Sequence, residues 1–320
     1  MPKKTISSND QHCETVITCY SAVDRVFPAC GLFDLTEGIY HGNPETPYAQ
    51  AQENQHLYLL GQARCEPGQR VLDLGCGYGT LLEQIRLHDA MGVGITISPE
   101  QASYCRQKRL EAHLLDYRAI PKQWESTFDA VIANGSIEHF VRPADAATGK
   151  ADDIYRQLFA RIHRLMDPSS MSRRFVTTTI HCVRKPADPL DLLRCPFAYR
   201  RGSDHFHWAV LEQGWGGYYP EAGQLQRCAE GYFDLVREDD GTEDYCFTSE
   251  EWLRRLRHAL LSLRAGKIAY RLLPVLVRSP RQCLTLLLSI LFTESWNWQF
   301  RSPDMPMRLL RQTWAYCDRL

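Results

Sequence analysis

Apolar and polar positions change period along this chain, and each period predicts an element. Residues 49–63 repeat apolar side chains at helical spacing, and Glu66-Pro67-Gly68 closes that helix with a turn. Short apolar runs and helical stretches then alternate. Residues 70–74 read as a strand, 81–87 as a helix, 92–97 as a second strand, 99–112 as a second helix and 113–115 as a brief third strand. Residues 128–133 are continuously apolar, as a strand buried on both faces should be. A helix over 154–166 and a threonine-rich fifth strand over 175–180 complete the series. This alternation predicts an α/β fold, a doubly wound, Rossmann-like parallel sheet with right-handed crossovers. In such a sheet a ligand sits beyond the carboxyl ends of the strands.

After Cys182 the pattern changes. Residues 182–220 are rich in proline, histidine and aromatics and read as a lid above the sheet. Residues 225–236 return to a helix and a strand. Thr248-Ser249-Glu250-Glu251 has the capping-box pattern that opens a helix, here through Trp252 to about Leu263, and the remainder reads as mainly helical. The expected organisation is a helical leader (1–66), a ligand-binding core (67–181), and a lid, last strands and helical substrate region (182–320).

Charge excludes one class of partner. With a net charge of −1 the chain builds no field for nucleic acid. Its 12 cysteines include no C-x-x-C pair, and His205 with His207 supplies too few ligands, so no metal is expected. The segment MPKKTISSND has no apolar core, which with free thiols points to a reducing cytoplasm. The most apolar segment, residues 283–292, lies between Arg281 and Glu294 and is shorter than the roughly 20 residues needed to span a bilayer. It reads as a buried helix, with a lipophilic pocket wall or a peripheral membrane patch as the sharper alternative.

The candidate chemistry begins at Asp73-Leu74-Gly75-Cys76-Gly77-Tyr78-Gly79, a glycine loop between a strand and a helix. Glycines let backbone pass close beneath a ligand. A dinucleotide site needs G-x-G-x-x-G to seat a pyrophosphate on the helix N-terminus, but here the spacing is G-x-G-x-G and the sixth position is Thr80. Asp73 would repel a pyrophosphate. It suits a ligand with a cationic amino-acid end, such as S-adenosylmethionine.

The string VLDLGCGYG resembles the first motif of class I methyltransferases, and Gly94-Ile95-Thr96-Ile97-Ser98-Pro99-Glu100-Gln101 resembles a motif of the cyclopropane fatty acid synthase family. Leu115-Asp116-Tyr117-Arg118, residues 128–140 and the leader Asp34 to Tyr40 are similar to further family segments. The resemblance implies a bound S-adenosylmethionine contacted by Tyr40, Asp73, Gly75, Cys76, Gly77, Thr96, Gln101, Asp116, Tyr117 and Asn134. No acid follows the second strand, where most class I methyltransferases bind the ribose hydroxyls, and Thr96 and Gln101 are implied in its place. The family methylates alkenes and uses a bicarbonate to take a proton from the resulting cation. The resemblance implies catalytic roles for Glu138, the adjacent His139 and His181, while the family cysteine at that site is replaced by Gly42.

These readings lead to a methyltransferase acting on a lipophilic, unsaturated small molecule or lipid. An alternative is a small-amine N-methyltransferase, because residues 250–256 resemble a segment of plant enzymes of that kind. Those carry a further glutamate where this chain has Gly135. A non-catalytic cofactor-binding subunit is the third reading.

Overall fold

The computed structural model describes residues 8–184, 190, 193–301 and 305–318, with 8–15 and 282 as backbone only. Seven strands build one sheet: β1 Arg70–Leu74, β2 Met91–Thr96, β3 Glu111–Leu114, β4 Ala130–Asn134, β5 Arg174–Cys182, β6 Phe233–Asp240 and β7 Met307–Tyr316. Their order is β3-β2-β1-β4-β5-β7-β6. β1 to β5 pair in parallel, and β7 runs antiparallel between β5 and β6. Strand order reverses between β1 and β4, which makes the carboxyl ends of these two strands the switch point.

Before the sheet come α1 (Ser8–Val26) and α2 (Tyr48–Ala63). The crossovers carry α3 (Thr80–Leu87), α4 (Pro99–Gln107), α5 (Pro143–Ala147) and α6 (Ala151–Leu165). After β5 follow α7 (Asp204–Trp215) and α8 (Gln224–Ala229), and after β6 come α9 (Thr242–Leu260), α10 (Ala265–Arg278), α11 (Pro280–Leu287) and α12 (Ser295–Arg301).

Side-chain alternation sorts the core. Leu72, Leu74 and Val131 pack with Tyr155 and Phe159 of α6 on one face, whereas Val71, Ile132 and Val176 pack with Leu59, Leu82 and Ile85 on the other. A third cluster joins α1 and α7 to the C-terminal helices. The apolar segment 283–292 belongs to it: α11 passes into a π-turn, Leu288–Phe292, and buries Cys283, Leu286 and Ile290. Among the described residues no helix is long and apolar enough to cross a membrane.

The structure departs from the expected elements in three places. The second helix stops at Gln107 rather than 112, because Arg109 takes a left-handed φ of 56° and β3 has begun by Glu111. Residues 248–251 do not open a helix. Thr248 lies inside α9, where its Oγ1 accepts a hydrogen bond from Gly38 N at 2.9 Å. The C-terminal stretch is not helical throughout, since β7 fills the gap between β5 and β6. Part of the expected lid, 185–189 and 191–192, lies outside the described residues, and the described remainder contains α7.

Candidate active site

The carboxyl ends of β1, β2 and β4 open into one cavity, bordered above by Val16 and Tyr20 of α1 and by residues 34–37 of the leader. The glycine loop forms its floor. Gly75 has a φ of 95°, and a Cβ there would come within 2.7 Å of Ser136 Cβ, so only glycine lets β1 turn beneath the cavity. Asp73, Gly75, Cys76 and Gly77 all line it. Asp73 is 2% exposed, and burial, with Asp34 nearby, pushes its carboxyl up to about 7.

At the end of β2, Thr96 Oγ1 donates to Gln101 Oε1 at 2.8 Å, and Ser98 caps α4 by accepting from Gln101 N at 3.2 Å. Gln101 Nε2 and Ser98 Oγ donate to the carboxylate of Asp24 at 3.3 and 3.1 Å, and Tyr78 OH donates to it at 2.7 Å. Asp24 comes from α1, so the leader brings an acid to the end of β2, where the local sequence has none. Burial lifts Asp24 to about 6 against these three hydrogen bonds. Asp116, Tyr117 and Asn134 border the same cavity. Asp116 holds Arg118 through two bonds of 2.9 and 2.6 Å, and Tyr117 stacks on Phe140 with ring centroids 4.3 Å apart.

The opposite wall carries Glu138 and His139, in a short turn after β4. One Glu138 carboxylate oxygen accepts from Ile180 N at 2.7 Å, and the other is buried with no hydrogen-bond partner among the described residues. Burial raises this carboxyl to about 7, the Ile180 N–H opposes the rise and Glu37 adds to it. Gly217 packs so closely on the Glu138 carbonyl that a Cβ would collide with it, and Tyr218 N donates to that carbonyl at 2.8 Å. His139 Nε2 lies 2.9 Å from Tyr20 OH of α1.

Two sequence candidates lie elsewhere. Ile180 lines the cavity, and strand alternation turns the next residue, His181, to the opposite face, where it is 1% exposed and burial lowers its pKa to about 4. Tyr40 is buried outside the lining, its ring edge-on to Phe247 at 5.4 Å.

Glu37 and Tyr245 were not sequence candidates, yet both line the cavity. Glu37 is 3% exposed and accepts from Gln55 Nε2 at 2.6 Å. Burial pushes it up to about 7, with Arg311 pulling the other way. Tyr245 sits seven residues before Trp252 on α9, a spacing that puts both on one helix face and would have been the signal for it. With Trp215, Tyr219 and Trp296 they form an aromatic wall, in which Trp252 stacks on Trp296 at 5.9 Å.

The residues present fit S-adenosylmethionine. Carboxyls that burial raises toward neutrality are shifted to their charged form by a cation, and the glycine floor leaves room for a ligand backbone. Fold and site together define the class, the S-adenosylmethionine-dependent methyltransferases. The sequence pattern of one family, described as mycolic acid cyclopropane synthetase, matches residues 14–269, and the chain belongs to that family. Cyclopropane mycolic acid synthase 1 of Mycobacterium tuberculosis is 26% identical over 228 residues, covering 68% of this chain and 72% of that protein. A "Probable fatty acid methyltransferase" of Pseudomonas putida is 34% identical over 109 residues, 31% of this chain, and the match spans only 27% of that relative's length. The solved mycolic acid cyclopropane synthase CmaA1, complexed with SAH and CTAB, superposes with a TM-score of 0.70 at 20% identity, covering 95% of this chain and 98% of that one.

Proposed function

We propose that this protein transfers a methyl group to a carbon of a lipophilic, unsaturated acceptor. The observation that carries the proposal is the buried Glu138 carboxyl, one oxygen of it without a partner among the described residues, on the lining of a cavity walled by aromatics. S-adenosylmethionine, when bound, supplies an electrophilic methyl group. Asp73 and the glycine loop orient its cationic end, and the aromatic wall excludes water from the line of attack. As the acceptor's double bond forms a new C–C bond to the methyl, the S–CH₃ bond breaks and a carbocation is left on the acceptor. Glu138, poised near neutrality by burial, takes the proton whose loss closes a ring or forms a new double bond.

Glu37 lies close enough to Glu138 to raise its pKa, and Gly42, which replaces the family cysteine, is exposed outside the cavity lining. A wall with these two carboxyls does not fit a bound bicarbonate. We assign the base to the chain's own carboxyls. A second reading, small-amine methylation, draws on the same acid-rich lining, since Asp34, Glu37, Asp73 and Glu138 would all attract an ammonium.

S-adenosylhomocysteine release from purified protein separates these readings. Unsaturated phospholipid vesicles, soluble isoprenoid or polyketide-like alkenes and small amines are compared, with bicarbonate added or withheld. Turnover on vesicles or alkenes without bicarbonate is expected. Turnover on amines alone would overturn carbon methylation, and strict bicarbonate dependence would overturn the assignment of the base.

A further inference from the structure

The whole chain has a net charge of −1, yet residues 252–293 contain no Asp or Glu and eight Lys and Arg. Arg254 and Arg255 pair with Glu251, and Arg257 pairs with Glu294. Four exposed cations around α10 (Arg264, Lys267, Arg278 and Arg281) have no ion pair among the described residues.

Helix α10 is apolar on two opposite faces. Ile268, Leu272 and Val275 bury into the cluster that includes Cys19 and Ala22 of α1. On the far side Tyr270, Leu273 and Val277 are 79%, 52% and 75% exposed. Counted from Gly266 these three recur at i+4, i+7 and i+11, so they form one stripe along the helix. Leu261 and Leu263 stand almost fully exposed just before it. Lys267 and Arg278 follow Gly266 and Val277 by one residue, which places them on one flank of the stripe.

An outward apolar stripe of this length marks a contact surface, and a cationic flank without acids selects what it contacts. We propose that α10 docks on an anionic lipid bilayer. Tyr270, Leu273 and Val277 enter the headgroup–acyl boundary, and Lys267 and Arg278 on the flank meet lipid phosphates. A second copy of this chain is disfavoured, because α10 against α10 would bring like charges together. The inner side of the same helix packs on α1, whose Tyr20 lines the cavity, so the docking face and the aromatic pocket share one group of helices. The apolar segment 283–292, in contrast, turns mostly inward and exposes mainly Leu284 and Phe292.

The test is flotation of the full chain with phosphatidylcholine vesicles and with vesicles in which phosphatidylglycerol replaces part of the phosphatidylcholine. Binding only to the anionic vesicles is expected, weakening as salt is raised. The double variant Lys267→Gln/Arg278→Gln should bind about 30-fold more weakly, and Tyr270→Ser/Leu273→Ser about tenfold or more. These side chains are exposed, so the thermal midpoint should not move in either variant. Equal binding to both vesicles, or to neither, overturns the proposal. So does a concentration-dependent dimer that the same substitutions abolish. Turnover is not read in this experiment, so its failure is distinguishable from a failure of the acceptor assignment.

Discussion

Glu138 lines the cavity, with one oxygen committed to Ile180 N and one buried without a partner among the described residues. Replacing the acid by its amide keeps the shape and removes the base. Glu138→Gln should therefore lower turnover by about 10²- to 10⁴-fold while S-adenosylhomocysteine affinity, measured by calorimetry, stays within a few-fold. An equal fall in affinity would show a binding role instead. Asp73 makes a second prediction. Its carboxyl, held at about 7 by burial, must lose its proton to meet a cationic ligand. Cofactor affinity should rise with pH, by up to about tenfold per unit below neutrality, and level off above it. Asp73→Asn should weaken binding and flatten that profile, and an unchanged slope would move the titration to another group.

At the scale of elements, β7 is the piece the chain's pattern hid. Arg308 and Arg311 interrupt its apolar run, yet Arg311 is 3% exposed. Its Nε donates to Gln55 Oε1 at 2.7 Å, its Nη1 to Asp244 Oδ2 at 3.0 Å and its Nη2 to the Gly38 carbonyl at 3.1 Å. One side chain thus ties α2, α9 and the leader to the sheet. Arg311→Met would leave these acceptors and Asp244 without their cation, and urea unfolding should show a loss of about 3–5 kcal/mol. A loss below ~1 kcal/mol would mean the clamp is structurally idle. The parallel strands were legible because short, mostly apolar or β-branched runs alternate with helical stretches, and the glycine loop was legible because spacing alone separates it from a dinucleotide site. Helix α7 was not, because its residues 206–211 are buried on nearly every side and leave no period to read. Nor were Asp24 and Glu37, whose roles arise only when the leader folds across β2 and β5. His181 shows the same limit from the other side: one residue of slip on a strand exchanges the cavity face for the back of the sheet.

Across the whole molecule, burial raises the pKa of several acids toward neutrality. Glu37, Asp73 and Glu138 are raised to about 7, and Glu212 to about 8. A carboxyl whose folded pKa lies above its unfolded value adds stability that is fully present below about 4 and is lost as pH rises through the folded pKa. The apo protein should therefore melt at a lower temperature at pH 8 than at pH 6, by up to about 1.4 kcal/mol per pH unit for each group in its window. S-adenosylhomocysteine should raise the melting temperature more at pH 8, where its ammonium group meets carboxylates already charged. Scanning fluorimetry at the two pH values reads both effects, and a rise in apo stability with pH would show that these acids are ionised and paired. The position of β7 also sets a schedule for synthesis. Among the described residues β6 pairs with β7 alone, and both the cavity residue Leu309 and the Arg311 clamp reside on that strand. A ribosome delivers the leader and the glycine loop long before residues 307–316, so a nascent chain already holds the parts that would grip a cofactor but not the strand that fastens them. Its exposed half-sheet must wait, in the care of chaperones or at risk of misassembly, for the final strand to slot between two neighbours made earlier.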